Sequence, residues 1–127
     1  MSLQQRLKEV LDGVVTVREE DDGALTVSHD GTLASLRVVT IADDLELVSL
    51  SQILAWDVPL DRRIRTRIAA HARDTMLGTI TLIEKKRIGE VLLRYNFPGS
   101  GLSDDALRTL ILMVLSTGAD VRRALAD

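Results

Sequence analysis

Few residues in this 127-residue chain have types and spacing that suit chemistry. Cysteine is absent, which removes thiolate catalysis, disulfides and cysteine-ligated zinc. His29 and His71 are the only histidines, and neither stands in a pattern with a serine nucleophile, so no triad can be assembled. His71 falls about 20° from Ile64 on a helix counted at 100° per residue, which suits a satisfied, partly buried histidine better than a catalytic or metal-binding one. The acidic run Glu19-Glu20-Asp21-Asp22 lacks the spacing and closing glutamate of an EF-hand loop and reads as a solvated hairpin tip. Asp43-Asp44 reads the same way. Gly99-Ser100-Gly101 before a helix start could form an amide nest for an anion. It has no phosphate-loop lysine, and Asp104 and Asp105 would repel a phosphate there, so it reads as a turn and a cap. Cofactor and metal sites are therefore expected to be absent, as is enzymatic activity.

The remaining charged feature is basic. Arg62, Arg63, Arg65, Arg67 and Arg73 surround one helical segment, and Lys85, Lys86 and Arg87 fill a later turn. Side by side they would make a local basic patch for an acidic partner. The chain as a whole carries a net charge of −3, which argues against general nucleic-acid affinity. No helix-turn-helix, zinc module or aromatic RNA-binding pattern accompanies the arginines. Aromatics are only 2% of the chain, with Trp56, Tyr95 and Phe97 the whole stock, too few for a stacking platform or an aromatic cage.

These residues need a scaffold, and the hydrophobic pattern supplies one. With 46% hydrophobic and 28% charged residues, the chain has a globular profile and a length that suits one domain spanning 1–127. A chain of this size buries about two-thirds of its surface. Its longest apolar run, Leu110 to Leu115, is far short of a membrane span, and the charged N-terminal segment is no signal peptide. A cytoplasmic protein is expected.

Ser2 and Gln5 fit a capping box ahead of a helix with Leu3, Leu7, Val10 and Leu11 on one face and Gly13 as its stop. Strands are expected at Val14–Glu19 and Ala24–His29, then Leu33–Ile41 after the Asp30-Gly31 turn, then from Leu45 towards Trp56. Alternation blurs over Ile53-Leu54-Ala55-Trp56, which leaves the face used by Trp56 open. A second helix follows, with Asp57 as a possible N-cap, Pro59 in its first turn, and the stripe Leu60, Ile64, Ile68 and Ala72 running to about Leu77-Gly78. Strands at Thr79–Glu84 and Glu90–Phe97 flank the turn Lys85–Gly89, and a last helix is capped by Ser103. Around Leu112, Met113 and Leu115 that helix is apolar nearly all round, so either the first helix or another subunit must cover its second side. The order is α-β-β-β-β-α-β-β-α, an α+β domain with helices packed on an antiparallel sheet.

Asp22-Gly23-Ala24-Leu25-Thr26-Val27, the extended Asp44–Leu54 stretch leading to Asp57-Val58-Pro59, Gly78-Thr79-Ile80-Thr81-Leu82, Val91–Pro98 and Gly101-Leu102-Ser103 are further marks. Together they resemble the type III secretion chaperone-like fold in its YbjN-related branch, common in actinobacteria. The chain departs from those relatives at His71-Ala72-Arg73-Asp74, where they often carry asparagines, so no role tied to those amides transfers. The resemblance implies a small, usually dimeric, non-enzymatic module that binds peptides or unfolded segments of client proteins. Candidate client or dimer residues are Leu92, on a sheet face that Ile83 could share, with Leu112, Met113 and Leu115 on the last helix. The candidate surface for acidic partners is Arg62, Arg63, Arg65, Arg67 and Arg73. The alternative is a regulatory protein that contacts nucleic acid through the arginine-rich helix.

Overall fold

The structure is a computed structural model that describes residues 1–126. Nine elements follow in the expected order: α1 (Leu3–Leu11), β1 (Thr16–Glu19), β2 (Leu25–His29), β3 (Thr32–Ala42), β4 (Leu45–Pro59), α2 (Arg62–Asp74), β5 (Thr79–Lys85), β6 (Ile88–Pro98) and α3 (Asp104–Ala126). The six strands form one antiparallel sheet in the order β1-β2-β3-β4-β6-β5.

Local chemistry starts and stops most of these elements where the sequence indicates. Ser2 and Gln5 form the capping box of α1, and Ser103 Oγ accepts from the Ala106 N–H at the start of α3. Asp30 and Gly31 both take positive φ, as a two-residue hairpin between right-twisted strands requires. The start of α2 differs from expectation. Pro59 is the last residue of β4, paired with Ile88, and Asp61 is the N-cap, its Oδ1 accepting from Ile64 N at 2.8 Å. The helix stops earlier too, at Asp74, where the hydroxyl and N–H of Thr75 both bond to the His71 carbonyl. Ala72 lies exposed, so the apolar stripe of α2 reduces to Ile64 and Ile68.

Strand register sorts the side chains into two faces. The cross-strand row Val17–Val27–Ala34–Gln52–Leu93–Ile80 crosses all six strands and faces the helices. Leu25, Leu36, Val48, Leu50 and Phe97 join it to form the core with Leu3, Leu7 and Leu11 of α1, Ile68 of α2, and Leu107, Ile111, Val114, Leu115 and Val121 of α3. The three helices therefore cover this face, with α3 touching both of the others.

One polar residue stands at the centre of that core row. Gln52 is fully buried, and its Nε2 donates to Thr32 Oγ1 at 2.9 Å and to the Leu115 carbonyl of α3 at 3.1 Å. Thr32 Oγ1 in turn donates to the His29 carbonyl at the β2–β3 turn. A Cβ at Gly118 would lie 2.0 Å from Gln52 Oε1, so the missing side chain is what lets α3 lie across the amide. Gly118→Ala is expected to destabilise the fold by about 2–4 kcal/mol in urea unfolding, because the amide must leave its bonds or the helix must lift. Adding Gln52→Ala should recover part of that loss, a coupling that a double-mutant cycle reads directly.

Candidate functional site

Among the described residues, no helix covers the far face of the sheet. Its central row is Ser28–Leu33–Ile53–Leu92–Thr81, and beyond it run Thr26–Ser35–Ser51–Arg94–Thr79 and then Arg37–Ser49–Asn96. At the β3–β4 end, Val39 pairs with Leu47, and Ile41 and Leu45 flank the turn. Leu33, Val39, Ile41 and Leu45 are between 40% and 56% exposed, an unusual density of bare branched side chains on one sheet face. Leu92 faces the same way, but Ile53 and Thr81 beside it leave it only 8% exposed. It is the floor of this face rather than a protruding contact.

The α3 candidates separate. Leu115 lies wholly in the core beside the Gln52 contact, which corrects its assignment to a client or dimer surface. Its direction follows from α1 and α2 flanking α3, which consumes most of the wide apolar stripe. Leu112 is half-buried, and Met113 points outward, 53% exposed.

The five arginines of α2 do not act as one patch. Arg65 reaches across to β5 and pairs with Glu84 at 2.5 Å, and Arg73 lies 3.7 Å from its neighbour Asp74. Arg63 and Arg67 turn the other way, towards α3, where Arg67 Nη1 donates to the Ala124 carbonyl at 3.4 Å. Arg62 remains on the exposed side. A positive charge that already holds a carboxylate contributes little to recruiting a second anion. The basic hairpin tip is also partly neutralised, with Lys85 paired to Glu90 at 3.1 Å.

Arg63 and Arg67 instead line a cleft of about 590 Å³ between the start of α2, the end of α3 and the last turn of β4. Two bulges shape its wall. The β4–β6 register slips between Ile53 and Ala55 and again between Ala55 and Val58. The first bulge frees the Leu54 carbonyl, which accepts from Arg122 Nη1 at 3.1 Å. The second lies beside Asp57, which is in the left-handed region at φ 51°, and Trp56 between the two bulges is 46% exposed at the rim of the cleft. Arg123 completes the basic lining and pairs with Asp120 and, at 3.7 Å, with Asp30. Asp57 and Asp61 are the acidic lining residues.

Sequence reasoning did not single out Trp56, Arg122 or Arg123. The available signal was an unusually interrupted alternation ending in the only tryptophan of the chain, three residues before a proline.

No family model matches the chain, and no curated protein matches it. Among solved structures it is similar to "Crystal structure of YbjN, a putative transcription regulator from E. coli", with a TM-score of 0.67 over 95% of this chain and 88% of that one. The chain has the YbjN fold. Identity is 15%, so the YbjN likeness is one of architecture and transfers no residue roles. The narrower actinobacterial branch rests on the sequence marks alone. Among the described residues no helix is long and apolar enough to cross a membrane.

The acidic hairpin is tied to the protein itself. Thr26 and then Arg18 bond the Glu20 carboxylate and hold it below the ordinary glutamate range. The Ala24 N–H and then Arg37 do the same for Asp22. A carboxylate depressed in the folded state stabilises above its unfolded pKa and loses that contribution as pH falls through the folded value. Thermal melts taken from pH 7 downwards should therefore drop once the pH passes below about 4. In Asp22→Asn, part of that acid-induced drop should be missing.

Proposed function

We propose that the chain is a non-enzymatic binding module that takes an extended or amphipathic segment of a client protein on the open face of its sheet. The observation that carries this reading is the bare side of the sheet, with Leu33, Val39, Ile41 and Leu45 exposed around the Ile53–Leu92 floor. Apolar side chains of a bound segment would remove that surface from water, while the serine, arginine and asparagine rows beside it offer polar partners to its backbone. The likeness to YbjN, a structure described as that of a putative transcription regulator, is compatible with a non-enzymatic binding module. A homodimer belongs to the proposal, with Leu112 and Met113 on the outward side of α3 as the surface for the second copy.

A photo-reactive amino acid at Val39, on the open face, tests this in source cells. Crosslinks to one or two recurrent proteins that disappear with Ile53→Asp, in a variant whose circular dichroism is unchanged, are the expected result. Crosslinks only to a second copy, or none, would overturn client capture on this face. Light scattering should meanwhile give a dimer mass that falls to the monomer's in Met113→Glu.

The description of the E. coli neighbour as a transcription regulator favours one second reading, contact with nucleic acid through α2. Arg62 lies on the exposed side of that helix, but the ion pairs of Arg65 and Arg73 weigh against it. Binding to DNA or RNA that weakens steeply with salt and is lost in the Arg62→Glu, Arg65→Glu double variant would replace the first reading with this one.

A further inference from the structure

We infer that the cleft between β4, α2 and α3 is a binding site for a nucleoside phosphate, distinct from the open sheet face. Three guanidinium groups, from Arg63, Arg67 and Arg122, converge on it beside the carboxylates of Asp57 and Asp61, while Arg123 at its edge is already held by Asp120 and Asp30. Their positions are set by protein contacts before any ligand arrives. Arg122 holds the Leu54 carbonyl, Arg67 the Ala124 carbonyl and Arg123 the Asp120 and Asp30 carboxylates, and Arg63 is also engaged. Each guanidinium carries five N–H donors in a rigid fork, and a bond to a neutral carbonyl, as at Arg122 and Arg67, orients the group without cancelling its charge.

The flat partner is Trp56. It sits beside two bulges in β4 and a positive φ at Asp57, and is 46% exposed. The result is an indole at the rim of an arginine-lined cleft, which matches a ring bearing a phosphate. A bare phosphate would use the arginines and leave the indole uncovered. Asp57 would repel a second phosphate, but it can accept hydrogen bonds from sugar hydroxyls or an exocyclic amine. The cleft, at about 590 Å³, is in the range of small-molecule sites.

Because Trp56 is the only tryptophan, its fluorescence reports on this cleft alone. The full chain is titrated with AMP, and with adenosine, inorganic phosphate and an aspartate-rich heptapeptide as separate arms. Saturable quenching by AMP is expected at least about tenfold tighter than by adenosine or phosphate, and it should weaken as salt is raised. Arg63→Ala should weaken AMP binding about tenfold or more in a variant whose circular dichroism is unchanged, since a hydrogen bond to a charged group is lost. In Trp56→Phe, calorimetry should give weaker AMP binding without loss of fold. Absence of saturation by about 1 mM AMP, or equal quenching by adenosine, or indifference to Arg63→Ala, would overturn the assignment. Quenching by the acidic peptide and not by AMP would overturn it in favour of a protein ligand. None of these outcomes depends on whether the open sheet face binds a client.

Discussion

The fold turns on the place where a glutamine amide in the middle of a sheet meets the backbone of a helix. Gln52 occupies the centre of the core row, and Leu115 and Gly118 of α3 lie directly over it. A buried amide is costly unless its groups are bonded. Here its N–H donors reach Thr32 and Leu115, which ties the central strand, the β2–β3 hairpin and α3 together, while its Oε1, against Gly118, has no partner among the described residues. Apolar packing alone would let α3 slide along the sheet, since one leucine surface resembles another. The amide and the absent side chain at Gly118 allow one axial position. Arg122 on the Leu54 carbonyl, Arg108 on the Val10 carbonyl and Arg6 on the Leu102 carbonyl then hold the helix at both ends.

Once α3 is placed, the two surfaces follow. All three helices gather on one face, so the other must meet solvent or a partner. The composition of that other face is not what solvent alone would select, with branched residues at Leu33, Val39 and Ile41 where an unpartnered sheet carries polar ones. The end of α3 comes down beside the start of α2 and the bulged end of β4, which collects arginines from two helices around one tryptophan.

Much of the architecture was legible because it depends on short-range chemistry. The capping box at Ser2 and Gln5, the cap at Ser103 and the hairpin turns are each written in a few adjacent residues, and the element order followed from them. The errors came where the chain context outweighs the local one. Asp57-Val58-Pro59 has the composition of a helix start, yet pairing with Gly89 and Ile88 keeps Val58 and Pro59 in β4 and moves the cap to Asp61. Leu115 follows Leu107 and Ile111 at i+4 spacing and so belongs to the core stripe, but the apolar run through Leu112 and Met113 masks that period, and a helix flanked by two others buries a wide arc.

By itself the sequence determined the class of the fold, the order of its elements, the apolar character of one sheet face and the lack of cysteine chemistry. These are properties of composition and of periods two and 3.6, which survive without knowledge of neighbours. The tertiary structure decided which charges are spent and which are gathered. It paired Arg65 with Glu84, turned Arg63 and Arg67 towards Arg122 and Arg123 some sixty residues away, and swung Trp56 to the rim between them. Such groupings depend on bulges in β4 and on the axial position of α3, both set by contacts between residues far apart in the chain, and so no local pattern encodes them.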